Sequence, residues 1–209
     1  MKEDKIIATI IEYAKNLSND NLCGEGDIIS IRNSGKMYYT ASNSNFATIT
    51  DKDIISVDLD KAKGVSQRHA DIYKARADIN AICSTHPAWV CAVAKKGCTI
   101  PAVLDDMAQI VGPTCKTASN DTGSIIKTLK GRNSCLVKND GCLTSGRTMS
   151  EAYTCVLVLD KASHCFVSAS VLGKNKVING IESRLMRFVY KKKYSKVNQE
   201  NISQLEGEN

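Results

Sequence analysis

The chain has 209 residues, 43% of them hydrophobic and 24% charged, with a formal net charge of +6 at neutral pH. These values are typical of a globular protein with one sizeable core, and no apolar run approaches the ~20 residues that a bilayer span requires. The charged opening, residues 1–5, does not resemble a signal peptide. We therefore expect a cytoplasmic protein that makes no membrane contact.

The nine cysteines indicate free thiols rather than a disulfide framework. Their number is odd, no Cys-x-x-Cys pair occurs, and most lie in apolar runs such as Ala81–Cys83 and Tyr153–Val156. In such runs cysteine serves as a small buried hydrophobic residue. This usage favours a reducing compartment, and no cysteine has an evident neighbouring base that would mark it as a nucleophile.

Hydrophobic spacing predicts alternating helices and strands. Residues 2–17 place isoleucines on one helical face, and a β-hairpin follows around the turn Asn33–Gly35. The later predicted elements are a strand over 54–59, a helix over 66–76, a strand over 80–84, a helix over 87–96, a short helix closed by Gly112, a helix over 121–129, a strand over 134–138 and a long helix over 150–172. No linker divides them, so we predict one domain over residues 1–197 and a flexible tail over 198–209.

Basic residues crowd the region from Arg184 to Lys196, where Tyr190 and Tyr194 alternate with them. Such a patch can bind nucleic acid or an acidic membrane. A solvated helical tail is the more common origin of this pattern. We therefore do not expect a nucleic-acid partner.

His86 has the most suggestive position of the three histidines. It follows the predicted strand over 80–84 and precedes Pro87, which suits the first turn of a helix. Proteins with α/β folds tend to place ligand and catalytic groups at strand ends. His164, by contrast, lies among apolar residues of the long helix, where a packing role is expected.

Taken in order, these segments resemble the class II aldolase/adducin family from about residue 6 to 185. Residues 26–32 are similar to the family's Gly-Asn-x-Ser-x-Arg with one extra residue, and Thr40–Asn43 is similar to Thr-Pro-Ser-Gly. Residues 69–82 match the unit before the family's His-x-His-Pro, and Asn139–Gly141 resembles Asn-His-Gly. The resemblance implies a three-layer α/β/α fold around a mainly antiparallel sheet, assembled as a homo-oligomer, often a tetramer.

The resemblance also implies metal-dependent chemistry on sugar phosphates. In the family, three imidazoles hold Zn²⁺ and a glutamate moves a proton while an enediolate forms. The corresponding ligand positions here are Ser84, His86 and Asp140. Because an alcohol is a weak ligand, we expect no resident cofactor, with a divalent ion (Zn²⁺, Mn²⁺ or Mg²⁺) on His86 and Asp140 as the alternative.

The family's glutamate is absent in either plausible alignment. It falls on Val65 without a gap, or on Gln67 after a slip of two residues. Gln67, our candidate catalytic position, can hydrogen-bond a substrate but cannot take up a proton. His69 lies nearby as a substitute base, but the matching helix usually carries histidine there, which favours packing.

The loops that hold phosphate in the family are partly kept. Candidate ligand-binding residues are Gly26, Asp27, Ser42, Asn43 and Lys63. Glycine and short hydroxyl side chains leave backbone N–H groups free to bind an anion, and a lysine can pair with it. Surface turns without a ligand explain the same residues equally well.

Three hypotheses follow. The first is an oligomeric class II aldolase-like protein without the usual zinc-dependent activity, which binds a small phosphorylated or carboxylated metabolite or acts through protein contacts. The second is an active aldehyde-lyase or epimerase on a ketose phosphate, with a rebuilt site. The third is a nucleic-acid or structural partner that uses the basic C-terminal region. We favour the first, because the glutamate and two of the three imidazoles are absent together.

Overall fold

Strands and helices are interspersed along the chain. The computed structural model describes residues 2–174 and 176–206, and their side chains as far as residue 193. The strands are β1 (Ile28–Asn33), β2 (Lys36–Thr40), β3 (Ile54–Asp58), β4 (Ala81–Thr85), β5 (Ile100–Pro101), β6 (Thr114–Cys115), β7 (Thr117–Ala118), β8 (Ser134–Val137) and β9 (Cys142–Gly146). The helices are α1 (Glu3–Asn19), α2 (Val65–Ala75), α3 (Ala88–Lys96), α4 (Thr122–Thr128), α5 (Met149–Leu172) and α6 (Gly180–Glu206).

Seven strands form one sheet in the order β3-β2-β1-β4-β9-β8-β7. Every neighbouring pair is antiparallel except β7 and β8, which are parallel. Strands β5 and β6 form a separate small ribbon. The mainly antiparallel sheet confirms the predicted fold class, and it places β4, the strand before His86, at its centre.

Helices cover both faces of the sheet. The isoleucine stripe of α1 packs with α5 against one face, where Ile6, Ile10 and Val156 belong to one buried cluster. Helices α2 and α4 cover the other face through residues such as Ile72 and Ile125. Both sheet faces are therefore removed from water, as three-layer packing requires.

Helix α5 is the central support of one face. Thr148 caps its start by accepting a hydrogen bond from the Glu151 backbone N–H. The helix is long and apolar enough to cross a membrane by length and composition alone. Its buried residues, from Met149 to Ser163, pack in the interior, and α3 and β9 are among its neighbours. In this fold α5 is therefore a core helix.

The predicted elements agree with observed ones within a few residues, but the structure adds to them. Strands β5, β6, β7 and β9 were not predicted. Helix α6 continues through Glu206, across most of the segment predicted to be a flexible tail. Residues 207–209 of that predicted tail lie outside the described residues. The boundary between domain and tail stays a prediction.

The cysteines are unpaired. All nine carry free thiols, and five of them are buried. Burial raises the pKa of the Cys83 and Cys115 thiols to about 12, so both stay protonated at neutral pH. These two cysteines are core residues.

Candidate functional site

Residues that are distant in the sequence meet where three central strands, β1, β4 and β9, begin or end on the same side of the sheet. Ile28 at the start of β1 pairs with Ser84, and Thr85 at the end of β4 pairs with Cys142 at the start of β9. The residues just outside these pairs are Asp27, His86 and Asp140. They meet because antiparallel neighbours bring the start of one strand to the end of the next.

The His86 imidazole lies between two carboxylates. Its Nδ1 is hydrogen-bonded to Oδ1 of Asp27, and its Nε2 lies 2.5 Å from Oδ1 of Asp140. Asp27 is almost fully buried and also accepts a 2.9 Å hydrogen bond from the Gly24 backbone N–H. Arg68 Nη1 lies 3.8 Å from the other oxygen of Asp140. Arg68, Asp140, His86 and Asp27 thus form a row of alternating positive and negative groups. Each carboxylate is hydrogen-bonded to a different nitrogen of the His86 ring.

This arrangement favours a charged imidazole. Hydrogen bonds that His86 donates to Asp140 and then to Asp27 raise its pKa to about 10. The same contact with His86 lowers the pKa of Asp140. Burial raises the pKa of Asp27, although the hydrogen bond from His86 opposes that rise. At neutral pH His86 therefore carries a positive charge, which the two carboxylates offset.

These residues do not fit the three-imidazole zinc site of the family. Zinc is bound through one nitrogen of each histidine, and the two carboxylates contact opposite nitrogens of the His86 ring. One ion therefore cannot be shared by His86 and both carboxylates. Within the part of the chain that the structure describes, no group of three His, Cys, Asp or Glu side chains could hold a metal ion.

The third candidate ligand position, Ser84, is turned toward another histidine. Its Oγ lies 2.8 Å from Nε2 of His69, whose Nδ1 lies 2.8 Å from Oγ of Ser30. The Tyr73 hydroxyl lies 2.8 Å from the same Ser30 Oγ. Burial lowers the pKa of His69 to about 3, so this ring is neutral. A base with so low a pKa is poorly suited to taking a proton from a substrate at neutral pH.

A cavity of about 620 Å³ opens beside the two predicted phosphate loops. Its lining includes Gly26, Ser42 and Asn43, which the sequence analysis had singled out, together with Ser44. Gly26 has a φ of +82°, which glycine adopts without strain. The Ser44 Oγ is buried and has no hydrogen-bond partner among the described residues. The loop that lines the cavity thus contains a buried, unsatisfied hydroxyl.

Two predicted site residues lie elsewhere. Lys63 and Gln67 are exposed around the start of α2, and neither lines the loop cavity. Val65, the other alignment position for the glutamate, is 55% exposed. Asp27 adjoins the loop cavity in sequence, but its carboxylate is bonded to His86 and Gly24.

Glycines allow the loops to approach His86 closely. A Cβ added at Gly141 would lie 2.0 Å from the Thr85 carbonyl oxygen and 2.9 Å from Cδ2 of His86. A Cβ added at Gly24 would lie 3.3 Å from the His86 Cβ. Arg68, Ser44 and the close approach of these two glycines to His86 were not predicted from the sequence. The Asn-Asp-Gly motif could have indicated the role of Gly141. No local sequence pattern distinguishes Arg68 or Ser44 from other surface residues.

Known proteins resemble this chain in sequence and in fold. The decarboxylase NovR of Streptomyces niveus is 31% identical over 163 residues, which cover 67% of this chain and 58% of NovR. The L-fuculose phosphate aldolase of Methanococcus maripaludis strain C7 is 26% identical over 66% of this chain and 82% of its own. The chain thus spans about three fifths of NovR.

A solved structure of an L-fuculose 1-phosphate aldolase superposes with a TM-score of 0.84 at 23% sequence identity, over 91% of this chain and 98% of that one. This likeness supports the fold alone, because the identity is low. The family model described as the Class II Aldolase and Adducin N-terminal domain matches residues 9–167, which is most of the chain. The chain therefore belongs to the class II aldolase and adducin family.

Proposed function

We propose that this protein is a class II aldolase-like protein that binds a small phosphorylated or carboxylated metabolite and lacks zinc-dependent aldol chemistry. The observation that carries the proposal is the pairing of His86 with Asp27 on one ring nitrogen and Asp140 on the other. Both nitrogens of the one retained imidazole are engaged, so a metal would have to displace a charge-assisted hydrogen bond.

The missing acid/base group supports the same conclusion. A proton shuttle needs a titratable side chain within hydrogen-bond reach of the substrate. Val65 and Gln67, the two alignment positions of the family's glutamate, carry no such group, and both are exposed. His69 is neutral, buried and bonded to two serine hydroxyls.

The loop cavity supports binding of an anionic ligand. The Ser44 hydroxyl lacks a partner, and Gly26 and Ser42 lie in the same lining. Oxyanions accept hydrogen bonds from hydroxyl and backbone N–H donors of this kind. Glu25 also lines the cavity, so we expect binding to depend on these donors rather than on net positive charge.

A second candidate is an active aldehyde-lyase or epimerase that acts on a ketose phosphate with a rebuilt site. Relatives named L-fuculose phosphate aldolase favour it. So does the meeting of His86 Nε2 and Asp140 at a family ligand position, because a metal could replace their shared proton. In either case we propose a cytoplasmic protein that self-associates, as the resemblance implies.

Metal analysis separates the two candidates. We expect protein purified without chelators to contain far less than one Zn²⁺ per subunit, and the double variant Ser84→His/Asp140→His to gain about one, because it restores three imidazoles. Asp140→Asn serves as the matched control that frees His86 Nε2 without adding a ligand. About one tightly held Zn²⁺ in the unaltered protein, together with turnover of a ketose phosphate that His86→Ala abolishes, would overturn the proposal.

Ligand binding is tested separately by calorimetric titration with sugar phosphates and small carboxylates. Ser44→Ala is expected to weaken binding about tenfold, because it removes one hydrogen bond to a charged group. Ser56→Ala, on the distant edge strand β3, is the control and should leave affinity unchanged. Equal affinities in the Ser44 variant and the unaltered protein would exclude the loop cavity as the site.

A further inference from the structure

A second cavity lies at the far end of the central strands from His86. Gly146 in its lining pairs with Ala81 at the start of β4, whereas His86 follows the end of that strand. The cavity has a volume of about 230 Å³ and lies between helix α6, the end of β9 and the segment before β4. Its charged lining residues are Arg147, Arg187 and Lys191, opposed by Asp78 and Glu151.

Arg187 is the unusual member of this lining. It is 5% exposed, which is rare for an arginine without a carboxylate partner. Its Nη1 donates to the carbonyl oxygens of Gln109 and Ile110 at 2.5 and 2.8 Å, and its Nη2 donates to Oδ1 of Asn133 at 2.6 Å. Its Nε is buried and has no partner among the residues whose side chains are described.

The carboxylates of the cavity do not neutralise Arg187. Asp78 is held by Arg76 through two hydrogen bonds of 2.6 and 2.8 Å. Glu151 is held by Arg147, with a shortest contact of 2.5 Å. Within the described side chains, no carboxylate lies in ion-pair contact with Arg187. A guanidinium buried with neutral acceptors alone lacks the counter-charge that normally offsets its desolvation.

We propose that this cavity, which we call the α6 cavity, binds a small oxyanion of the phosphate or carboxylate class. Arg187 would supply the buried positive charge, Lys191 a second cation at the rim, and Arg147 a third beside Glu151. The volume admits a small oxyanion together with ordered water. The bound anion stabilises the position of α6 by completing the charge balance around Arg187.

This site is independent of the proposed function. The loop cavity and the α6 cavity share no lining residue, and they lie at opposite ends of β4. An experiment must therefore report where an anion binds, not only that it binds. Backbone amide resonances can locate the bound anion, because the two cavities are lined by different residues.

The test is a titration of the full chain with inorganic phosphate, followed by two-dimensional amide NMR. We expect saturable shifts at Gly146 and Asn133, and at Arg187 itself, whether or not Gly26 and Ser44 also shift. A parallel titration with succinate distinguishes a phosphate site from a general oxyanion site, since either result fits the proposed class. Absence of saturable shifts around the α6 cavity with both anions would overturn the proposal.

Variants separate an anion site from a purely structural clamp. Arg187→Gln is expected to abolish the phosphate-dependent shifts at Gly146, and Lys191→Met to weaken phosphate binding about tenfold. Lys192→Met, exposed on the same helix, is the matched control and should bind as the unaltered protein does. If Arg187→Gln does not fold, Arg187→Lys and Lys191→Met carry the test. Unchanged phosphate affinity in these two variants would show that Arg187 acts only as a clamp.

Discussion

Two histidines differ in charge at neutral pH: His86 is positively charged and His69 is neutral. His86 is hydrogen-bonded to two carboxylates, which raise its pKa to about 10. His69 is fully buried and hydrogen-bonded to two serine hydroxyls, and burial lowers its pKa to about 3. The side chain is the same, so the difference lies in the partners: carboxylates stabilise the imidazolium, whereas hydroxyls in a dry core do not offset its desolvation.

The two histidines also account for the residues at two of the family's metal-ligand positions. Ser84 and Asp140 stand where the resemblance places zinc-binding imidazoles. In this structure Ser84 is the partner of His69, and Asp140 is the partner of His86. Each replacement residue has thus become the hydrogen-bond partner of a histidine. These hydrogen bonds join residues at the C-terminal end of β4 to α2 and to the loop before β9.

The largest expected effect on stability comes from substitution of Gly141, which contacts Thr85 and His86. In Gly141→Ala the new Cβ would lie 2.0 Å from the Thr85 carbonyl oxygen, so the Asp140 loop must move away from His86. We expect a loss of more than about 3 kcal/mol of unfolding free energy, because the clash involves backbone. Urea denaturation measures it.

Gly26→Ala is the matched control for this change. Gly26 has a φ of +82° but open space around its Cβ position, so only backbone strain is added. That strain costs about 1–2 kcal/mol. Equal losses in the two variants would mean that the approach of the Asp140 loop to His86 is not tightly constrained.

The next effect tests the neutral histidine. His69→Phe keeps the volume of the ring but leaves the Ser84 hydroxyl without its ring partner, while Ser30 still contacts Tyr73. An unsatisfied buried hydroxyl costs about 1–3 kcal/mol. Ser84 is half-buried, so we expect a loss near the lower end of that range by urea denaturation.

His164→Phe is the control for this substitution, because His164 is exposed and stacks on Trp89 with ring centroids 4.2 Å apart. A phenyl ring keeps that stacking, so the change should stay within about 0.5 kcal/mol. A loss as large as that of His69→Phe would contradict the assignment of His69 to a satisfied hydrogen-bond network.

The fold was predictable from the sequence because its signals are local. The spacing of isoleucines in α1, the turn Asn33–Gly35 and the stop at Gly173 each act within a few residues. Strand β9 escaped prediction because small and polar residues interrupt its apolar ones, as in Thr144–Gly146. The mainly antiparallel order came from the family resemblance rather than from residue patterns.

The site was predictable only in part, because its contacts join residues far apart in the sequence. Asp27 and His86 are 59 positions apart, and no periodicity connects them. The resemblance identified His86 and Asp140, but it could not show that both nitrogens of the ring are engaged. Arg187 was hidden for another reason: in a run of basic residues, one buried guanidinium cannot be distinguished from its solvated neighbours.

A smaller effect is the pH dependence of stability, because the pKa of His86 is raised and the pKa of His69 is lowered. His86 has a higher pKa in the folded state, about 10, than its ordinary value of 6.5, so its stabilising contribution is full below pH 6.5 and is lost as pH rises through 10. His69 has a lower pKa, about 3, so the unfolded chain binds the extra proton and stability falls as pH drops from 6.5 toward 3.

Urea denaturation across this pH range measures both slopes, each at most about 1.4 kcal/mol per pH unit for one proton. His86→Gln is expected to flatten the alkaline side, and His69→Gln the acid side. If His86→Gln left the alkaline slope unchanged, the carboxylates would not be stabilising a charged ring. NMR titration of the His86 ring gives an independent check, with a transition near pH 10 that Asp140→Asn moves toward 6.5.

The smallest effect concerns Arg68, the only described cation that links the two histidine environments. It lies 3.8 Å from Asp140, and its charge lowers the pKa values of both Asp140 and His69. Arg68→Met should therefore raise both pKa values slightly, while stability changes by less than about 0.5 kcal/mol because the ion pair is partly exposed. NMR titration of the Asp140 carboxyl measures the shift, with Lys74→Met, at the far end of the same helix, as the control. A fall in the pKa of Asp140 in Arg68→Met would show that Arg68 does not act on this carboxylate through its charge.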